Sequence, residues 1–460
     1  MNLGRPEGAN GAATTAVAPF LADFWRMDEA AREKALLEAI AAAHSYHFER
    51  NTAYRATVAT RGIGPIAGPG DMPRLLRTTS EAFKSYIDVL GTPFPEDRPA
   101  DFVEWLAGQV SVDLRPHRPR LRSGYRSLEG LLSAVERAYT DMGLQMLTSR
   151  GTSGRATIIP RDHRSTDLTM ESLSLSFQRY FGMEPTFTAI FMMPRRSRIA
   201  VTRMAGLSVQ RVGLDGGRVH FTSPFAAYHD RVRIRSGRTY RPGLRGVMER
   251  RAWRPLMTTL QTRFVDVHAV EDAISRLIPA AAHDEKVLLF GSLDRLHRLA
   301  SFLIDGGRTM MLAPGSLLGT GEGFNEASAS PAEKMREDLA QAFRLTSGEA
   351  VPLRDMYGMA EANWAAIQCS HGNYHIPPWV FAVTVDDQEH FQNGPRSTGL
   401  LAFFDPLGGG HLFPPFFRTA DQVTLVRGSI CPCGEPGRYL ERDSIRRIDL
   451  VGEAGCAGRL

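Results

Sequence analysis

Two short, uninterrupted apolar runs constrain the fold most. "TAIFMMP" (188–194) and "KVLLFGS" (286–292) read as buried strands, each followed by a helical segment. The helix after the second run, "DRLHRLASFLIDGG", is stopped by Gly306 and Gly307. "RTMMLAPGSLLGTGEG" then gives a strand and a Gly-rich turn, "MREDLAQAF" a helix, and "PLRDMYGMAEANW" a strand running into a loop. Strands alternating with helices mean an α/β fold. Upstream, residues 21–58 contain the amphipathic helix former "EAAREKALLEAIAAAHSYHFERN". "DMPRLLRTTSEAFKSY" (71–86) opens on a Pro-marked turn and ends on an aromatic–lysine pair, and segment 128–148 reads as helical. After residue 375 the pattern changes to short strands and turns rich in Gly and Pro, and no internal repeat is visible.

The 460 residues, 43% hydrophobic and 23% charged, suffice for a sizeable core and two or three packed sub-domains. No apolar run approaches the ~18 residues that span a bilayer. The start of the chain lacks a basic segment followed by a long apolar one, and its Gly/Ala/Thr content reads as a disordered tail over residues 1–20. A soluble, cytoplasmic protein is expected. The net charge of +5 and pI near 9.1 raise nucleic acid as a partner. The basic residues are scattered, however, without an aromatic-interleaved stripe, so nucleic acid is not expected; nor, with no run long enough to span a bilayer, is a membrane. The Arg-rich stretch 237–255 reads as a solvated surface element. Lysine occurs only at Lys34, Lys84, Lys286 and Lys334, and the cysteines Cys369, Cys431, Cys433 and Cys456 do not suggest a disulfide scaffold.

"LTSRGTSGRATIIPRD" (147–162) is a turn of small hydroxyl residues and glycines, rich in N–H and O–H donors suited to an anion. It lacks the GK[ST] ending of a Walker loop. Downstream, in order, come a Gly-rich turn at 319–323 (Gly319, Thr320, Gly321), "MYGMAEAN" at 356–363, "FRTADQV" at 417–423 and "GRYLERD" at 437–443. Over roughly residues 70–458 this series resembles the adenylate-forming (acyl-adenylate) superfamily. "MPRLLRTTSEAFK", "SGRATIIPRD" and "GNYHIPPWV" are similar to its acyl-protein synthetase branch, the fatty-acid–protein ligases. "CPCGEPGRYLERD" resembles both that branch and the phenylacetate–CoA ligases.

The resemblance implies two packed αβ sub-domains plus a small β region, spanning 21–440. A hinge-like remnant follows at 441–460, with the mobile C-terminal domain absent or vestigial. It implies ATP and magnesium as cofactors, a carboxylic acid substrate and a thiol acceptor: a protein, a carrier or coenzyme A, with a reductase or carrier protein as partner. Ser149, Gly151, Thr152, Ser153, Gly154 and Arg155 would cradle phosphates, because joining two anions requires neutralised charge and in-line geometry. Tyr357, with Gly358 and Met359, would hold adenine, Glu361 magnesium and Asp421 the ribose hydroxyls.

The chain departs from the family pattern at Ala360 (a Thr in the family), Arg150, Arg155 (usually Lys) and Ala420 (commonly Gly). Larger relatives complete adenylation with a lysine beyond the hinge. Here that work would fall to Arg442, Arg446 or another subunit. A catalytically weak adenylate- or acid-binding subunit is the rival reading, and acyl-CoA ligase the alternative activity. A hydrolase is disfavoured by the absence of a G-x-S-x-G elbow. Phe181, Phe290, Trp364 and Trp379 are candidate lining for an apolar acid pocket or plain core. Cys369, His375, Cys431 and Cys433 have the stoichiometry of a structural zinc site, with His371 the alternative imidazole. In the fatty-acid–protein ligases a cysteine near the C-terminus accepts the acyl group, which points to Cys456.

Overall fold

A computed structural model describes residues 18–62, 66, 68–115, 121–150, 155–200, 202–204, 207, 218–223, 225–321, 331–388, 390–392, 394–406 and 408–448. The strands in chain order are β1 (Arg77–Thr78), β2 (Gln145–Thr148), β3 (Ile158–Arg161), β4 (Thr188–Pro194), β5 (Val219–Ser223), β6 (Val287–Phe290), β7 (Met310–Leu312), β8 (Leu317–Thr320) and β9 (Phe343–Leu345). They continue as β10 (Leu353–Gly358), β11 (Ala365–Gln368), β12 (Tyr374–His375), β13 (Phe381–Val385), β14 (Phe391–Gln392), β15 (Arg396–Phe404), β16 (Phe416–Val426), β17 (Tyr439–Leu440) and β18 (Arg446–Arg447). Among the described residues one large sheet runs β14-β13-β15-β16-β17-β12-β11-β10-β8-β6-β4-β5, with β1 and β18 also paired to β16.

The expected strands are β4 and β6, at the centre of the parallel half of this sheet. Their alternation explains why both runs are wholly apolar. Ile190, Met192, Val287 and Leu289 enter a core under the helices Asp266–Ala282 and Leu293–Asp305, while Ala189, Phe191, Leu288 and Phe290 face the main core on the other side. A strand covered on both faces has no polar position to offer. Strand β10 is the seam: it lies parallel to β8 and antiparallel to β11, where the antiparallel half begins. The two halves and the helices between them give the expected α/β architecture.

Some boundaries differ from the sequence reading. Residues 128–148 are not one helix. Helix Leu128–Ala138 ends, Gly143 adopts φ +65°, and β2 begins at Gln145. Pairing with β3 overrides the helix preference of the Leu-Gln-Met run. The tail expected over 1–20 gives way by Ala18 to a 3-10 helix, Ala18–Trp25, whose Leu21 and Phe24 are buried. Residues 1–17 lie outside the described residues. The Arg-rich stretch is only partly solvated: buried Arg241 and Glu249 are bonded to each other and, with Arg233 and Glu96, form an interior ionic network.

Candidate active site

A cavity of about 320 Å³ opens where the seam strand ends. That is the place an open α/β sheet offers a ligand, beyond the carboxyl ends of its parallel strands. Ser149, Gly321, Tyr357, Gly358, Met359, Glu361 and Asp421, which lie far apart in sequence, all line it. β2 and β3 form a hairpin whose base is tied by Ser149, the hydroxyl of which accepts from the Thr157 N–H at 3.0 Å. Gly151, Thr152, Ser153 and Gly154 lie outside the described residues, as does Cys456. Arg155 is exposed.

The Tyr357 hydroxyl donates to Asp421 Oδ2 at 2.7 Å. Burial, then the Asp421 charge, lifts the tyrosine well above its usual range, so it remains a donor. Asp421 is set in place by the antiparallel pairing of β16 with β18, which puts it opposite Arg447. Glu361 is buried, and burial raises its pKa while the charges of Lys84 and Arg447 act against the rise. A buried carboxylate with basic neighbours on a cavity wall is a suitable hard-cation ligand.

Arg161 holds the Glu361 loop in place. Its guanidinium is fully buried, donates to Gly408 O at 2.8 Å, and reaches the carbonyls of Ala360, Glu361 and Ala362 at 3.1–3.3 Å. The next residue, Asp162, caps helix His163–Phe181, whose Thr169, Leu173 and Phe177 recur every fourth residue along one cavity wall. Leu173 and Phe177, with Ile199, Ala200, Met204 and Trp364, give the cavity an apolar part of its lining.

Other expected residues lie elsewhere. Gly319 is within β8, where an added Cβ would come 2.5 Å from the Phe290 ring, so a close packing contact accounts for this glycine. Thr320 and Arg442 line a neighbouring cavity of about 340 Å³ with Arg336 and Arg354. Arg446 is exposed, and it is Arg447 that lines the main cavity. Of the four aromatics considered for a pocket, Trp364 lines it; Phe181 and Phe290 belong to the core, and Trp379 is buried with its indole N–H donating to Ser172. Sequence reasoning missed Lys84, Arg161 and Arg447. The aromatic–lysine ending of 71–86 was the available signal for Lys84.

Cys369, His375, Cys431 and Cys433 converge, with their ligand atoms within 4.8 Å of one another. Cys369 Sγ and Cys431 Sγ are 3.9 Å apart, and Cys433 Sγ lies 3.3 Å from His375 Nε2. Thiolates at ~2.3 Å from a tetrahedral zinc sit about 3.8 Å apart, whereas a disulfide requires ~2.05 Å. Two tight turns bring the ligands together, with Gly372 at φ +85° and Gly434 at φ +90°. Burial lowers the His375 pKa to about 4, which keeps the imidazole in its ligating form. Burial also lifts the Cys433 thiol to about 12, and the neighbouring thiols push the same way, a crowding that a bound cation would relieve. His371 is exposed, bonded to Ser370, and outside the cluster.

The family model described as "Acyl-protein synthetase, LuxE" matches residues 261–460. The "Long-chain-fatty-acid--luciferin-component ligase" of Vibrio harveyi is 24% identical over 173 residues, 37% of this chain and 43% of that protein. The protein of the same name from Aliivibrio fischeri is 27% identical over 105 residues, 23% of this chain and 26% of its own length. The chain thus spans less than half the length of these curated relatives. The resemblance read from "CPCGEPGRYLERD" and "GNYHIPPWV" lies inside the matched segment and is borne out. Among solved structures, 2-hydroxyisobutyryl-CoA ligase in the postadenylation state in complex with 2-HIB-AMP superposes with a TM-score of 0.55 at 14% identity, covering 93% of this chain and 70% of that one. Its open conformation with 2-HIB-AMP and CoA gives 0.54 at 14% identity, covering 91% and 75%. The fold is therefore the one seen in 2-hydroxyisobutyryl-CoA ligase. No described helix is long and apolar enough to cross a membrane.

Proposed function

We propose that this chain activates a carboxylic acid with ATP and passes the acyl group to a thiol. A substrate carboxylate oxygen attacks the α-phosphorus, the bond to pyrophosphate breaks, and an acyl-adenylate forms. A thiolate then attacks the acyl carbon and AMP leaves. The observation that carries this reading is the meeting, in one cavity, of the Tyr357–Asp421 pair, the buried Glu361 and a set of apolar side chains. Asp421 accepts from ribose hydroxyls, and the Tyr357 ring, kept neutral, offers its face to adenine. Glu361 serves magnesium, which when bound screens phosphate oxygens. Lys84 and Arg447 supply the positive charge for the leaving pyrophosphate, the task first assigned to Arg442 or Arg446. The apolar lining suits an aliphatic or aromatic acyl group, and the names of the curated relatives favour a long-chain fatty acid.

The acceptor is a protein or carrier thiol, with Cys456 as the first relay and a reductase or carrier protein as the collecting partner. A coenzyme A acceptor is the second reading, favoured by the neighbouring arginine-lined cavity, which shares Asp355 with the first. The Cys369, His375, Cys431 and Cys433 cluster holds a structural zinc ion, supported by the tetrahedral edge length between two of its thiols.

Acid-dependent ATP–pyrophosphate exchange over a panel of acids tests the activation step. Glu361→Ala is expected to lower exchange at least a hundredfold while leaving the melting profile intact. Near-normal exchange by that variant would sink the magnesium assignment, and no exchange by the wild type with any acid would favour the binding-subunit rival. A hydroxylamine-labile mass adduct lost in Cys456→Ser identifies the protein relay. Acyl-CoA formation without such an adduct identifies coenzyme A instead.

A further inference from the structure

The elements Gly243–Met248, Glu249–Trp253, Arg254–Leu260, Gln261–Val265 and Asp266–Ala282 follow one another without a break, each junction residue being right-handed helical. They form one helix of roughly 60 Å at 1.5 Å per residue. The second and fourth elements are π turns. The first of these ends two residues before Pro255, which has no N–H to donate and would crowd the carbonyl four residues back, inside that turn; a widened turn accommodates both problems. The C-terminal part is ordinary core, its Ala269, Val270, Ala273, Ile274 and Leu277 buried.

The N-terminal part is different. From Arg250 to Phe264 every residue except the half-buried Met257 and Gln261 is exposed. Trp253, Leu256, Leu260 and Phe264, spaced three and four residues apart, form one stripe and are 44–61% exposed. Core-packing need does not explain four large apolar side chains left about half exposed along one surface helix. Arginines and threonines dominate the remaining exposed positions: Arg245, Arg250, Arg251, Arg254 and Arg263, with Thr258, Thr259 and Thr262, are all exposed. The only acidic residues from Gly243 to Val267 are Glu249 and Asp266. Both are buried and bound, the first by Arg233 and Arg241, the second by Arg298 and Gln261.

We infer that this surface helix segment is a docking element for an anionic lipid surface. Trp, Leu and Phe on one face with arginines on the other is the composition of a helix lying in a lipid interface. Its charge is complementary to acidic headgroups, and the arginine stems reach the headgroups while the stripe enters the acyl boundary. A second copy of this chain is a poor occupant, since pairing two such stripes sets arginine against arginine. The segment packs on one side against helix His229–Ser236, and its convex outer side offers no groove for a partner helix, whereas a flat lipid surface needs none. This revises the expectation of no membrane contact, which rested on the absence of a spanning run; a peripheral helix needs no such run.

The test is co-sedimentation of the full chain with phosphatidylglycerol–phosphatidylcholine vesicles and with pure phosphatidylcholine vesicles. The wild type is expected to pellet with the anionic vesicles, at least tenfold less with the neutral ones, and to be weakened by 1 M salt, which cuts the Debye length to ~3 Å. The variant W253S/L256S/L260S/F264S, at exposed positions, is expected to bind anionic vesicles at least tenfold more weakly. Binding unchanged in that variant would mean adsorption by net positive charge alone, and would overturn the inference. So would a wild type that stays in the supernatant, or a wild-type dimer in light scattering that the serine variant abolishes. If the quadruple variant misfolds by circular dichroism, Phe264→Ser and Leu256→Ser singly replace it, each expected to weaken binding at least twofold.

Discussion

At the scale of single residues, the loop carrying Glu361 depends on one buried guanidinium. Arg161 bonds to four main-chain carbonyls on two segments, packs 5.2 Å from the Phe413 ring, and is held charged by Asp405, Asp162 and Glu361 against a burial that lowers its pKa to about 10. An ammonium lacks the planar fork needed to serve both segments at once. Arg161→Lys is therefore expected to keep the fold but lower the exchange kcat about tenfold with little change in the KM for the acid. Arg161→Met leaves the facing carboxylates without their cation and should destabilise by about 3 kcal/mol. Equal exchange rates in wild type and Arg161→Lys would show that Arg161 merely fills space. Lys84 makes a separate case: its charge reaches Glu361 from a different element. Lys84→Ala should lower exchange at least tenfold while leaving stability within about 0.5 kcal/mol, as expected of a side chain outside the core. An unaltered rate would return the counter-charge to Arg447 alone. Sequence named Glu361, Tyr357 and Asp421 because each sits in a local motif. Arg161 and Lys84 were quoted within motifs without a role, because their partners lie up to 247 and 277 positions away.

At the scale of elements, legibility followed how locally each element is determined. β4, β6 and the helix Leu293–Asp305 carry their burial pattern and stop signals in their own residues, and they fold as read. β2 does not; its strand state comes from β3, and Gly143 was the one local mark that the helix had ended. The cysteine cluster lies between these cases. The residue types were readable, but their meeting depends on the β11–β12 turn approaching the turn that follows β16, since β12 and β16 both pair with β17. Metal occupancy would clamp those two turns together and fix the strand register beneath them. Elemental analysis of protein purified without added metal is expected to find one zinc per chain. Chelation, or Cys431→Ser, should lower Tm on the order of 5 °C, since a site whose ligands come from separate turns contributes its binding energy to folding. Protein free of zinc whose Tm ignores chelators would leave three crowded thiols as a reduced apolar cluster.

Across the whole molecule, the main core runs from Leu21 to Leu440, so the first helices and the last strands are stabilised together. Arg438, bonded to Glu33 at 2.5 Å, and β1 paired parallel to β16 tie the two ends of the described chain. None of this is visible in a local pattern, because it is a property of chain closure over hundreds of residues. One consequence is that a titration in any part of the core acts on the stability of the whole. His229, at the start of helix His229–Ser236, is buried and has Arg233 one turn along. Burial, then the Arg233 charge, lowers its pKa from 6.5 to about 4. A depressed folded pKa means the ring is neutral in the folded protein but takes a proton in the unfolded chain below its ordinary pKa. The stability it contributes is therefore complete above pH 6.5 and drains away as the pH falls toward 4, by about 3 kcal/mol at ~1.4 kcal/mol per pH unit. His47, whose pKa burial lowers well below the usual value, adds a slope of the same sign. Wild type and His229→Gln, unfolded by urea across this range, should thus differ in slope, with the variant losing about 3 kcal/mol less on acidification. Parallel slopes would mean that water reaches His229 in the folded protein, and that burial does not govern its charge.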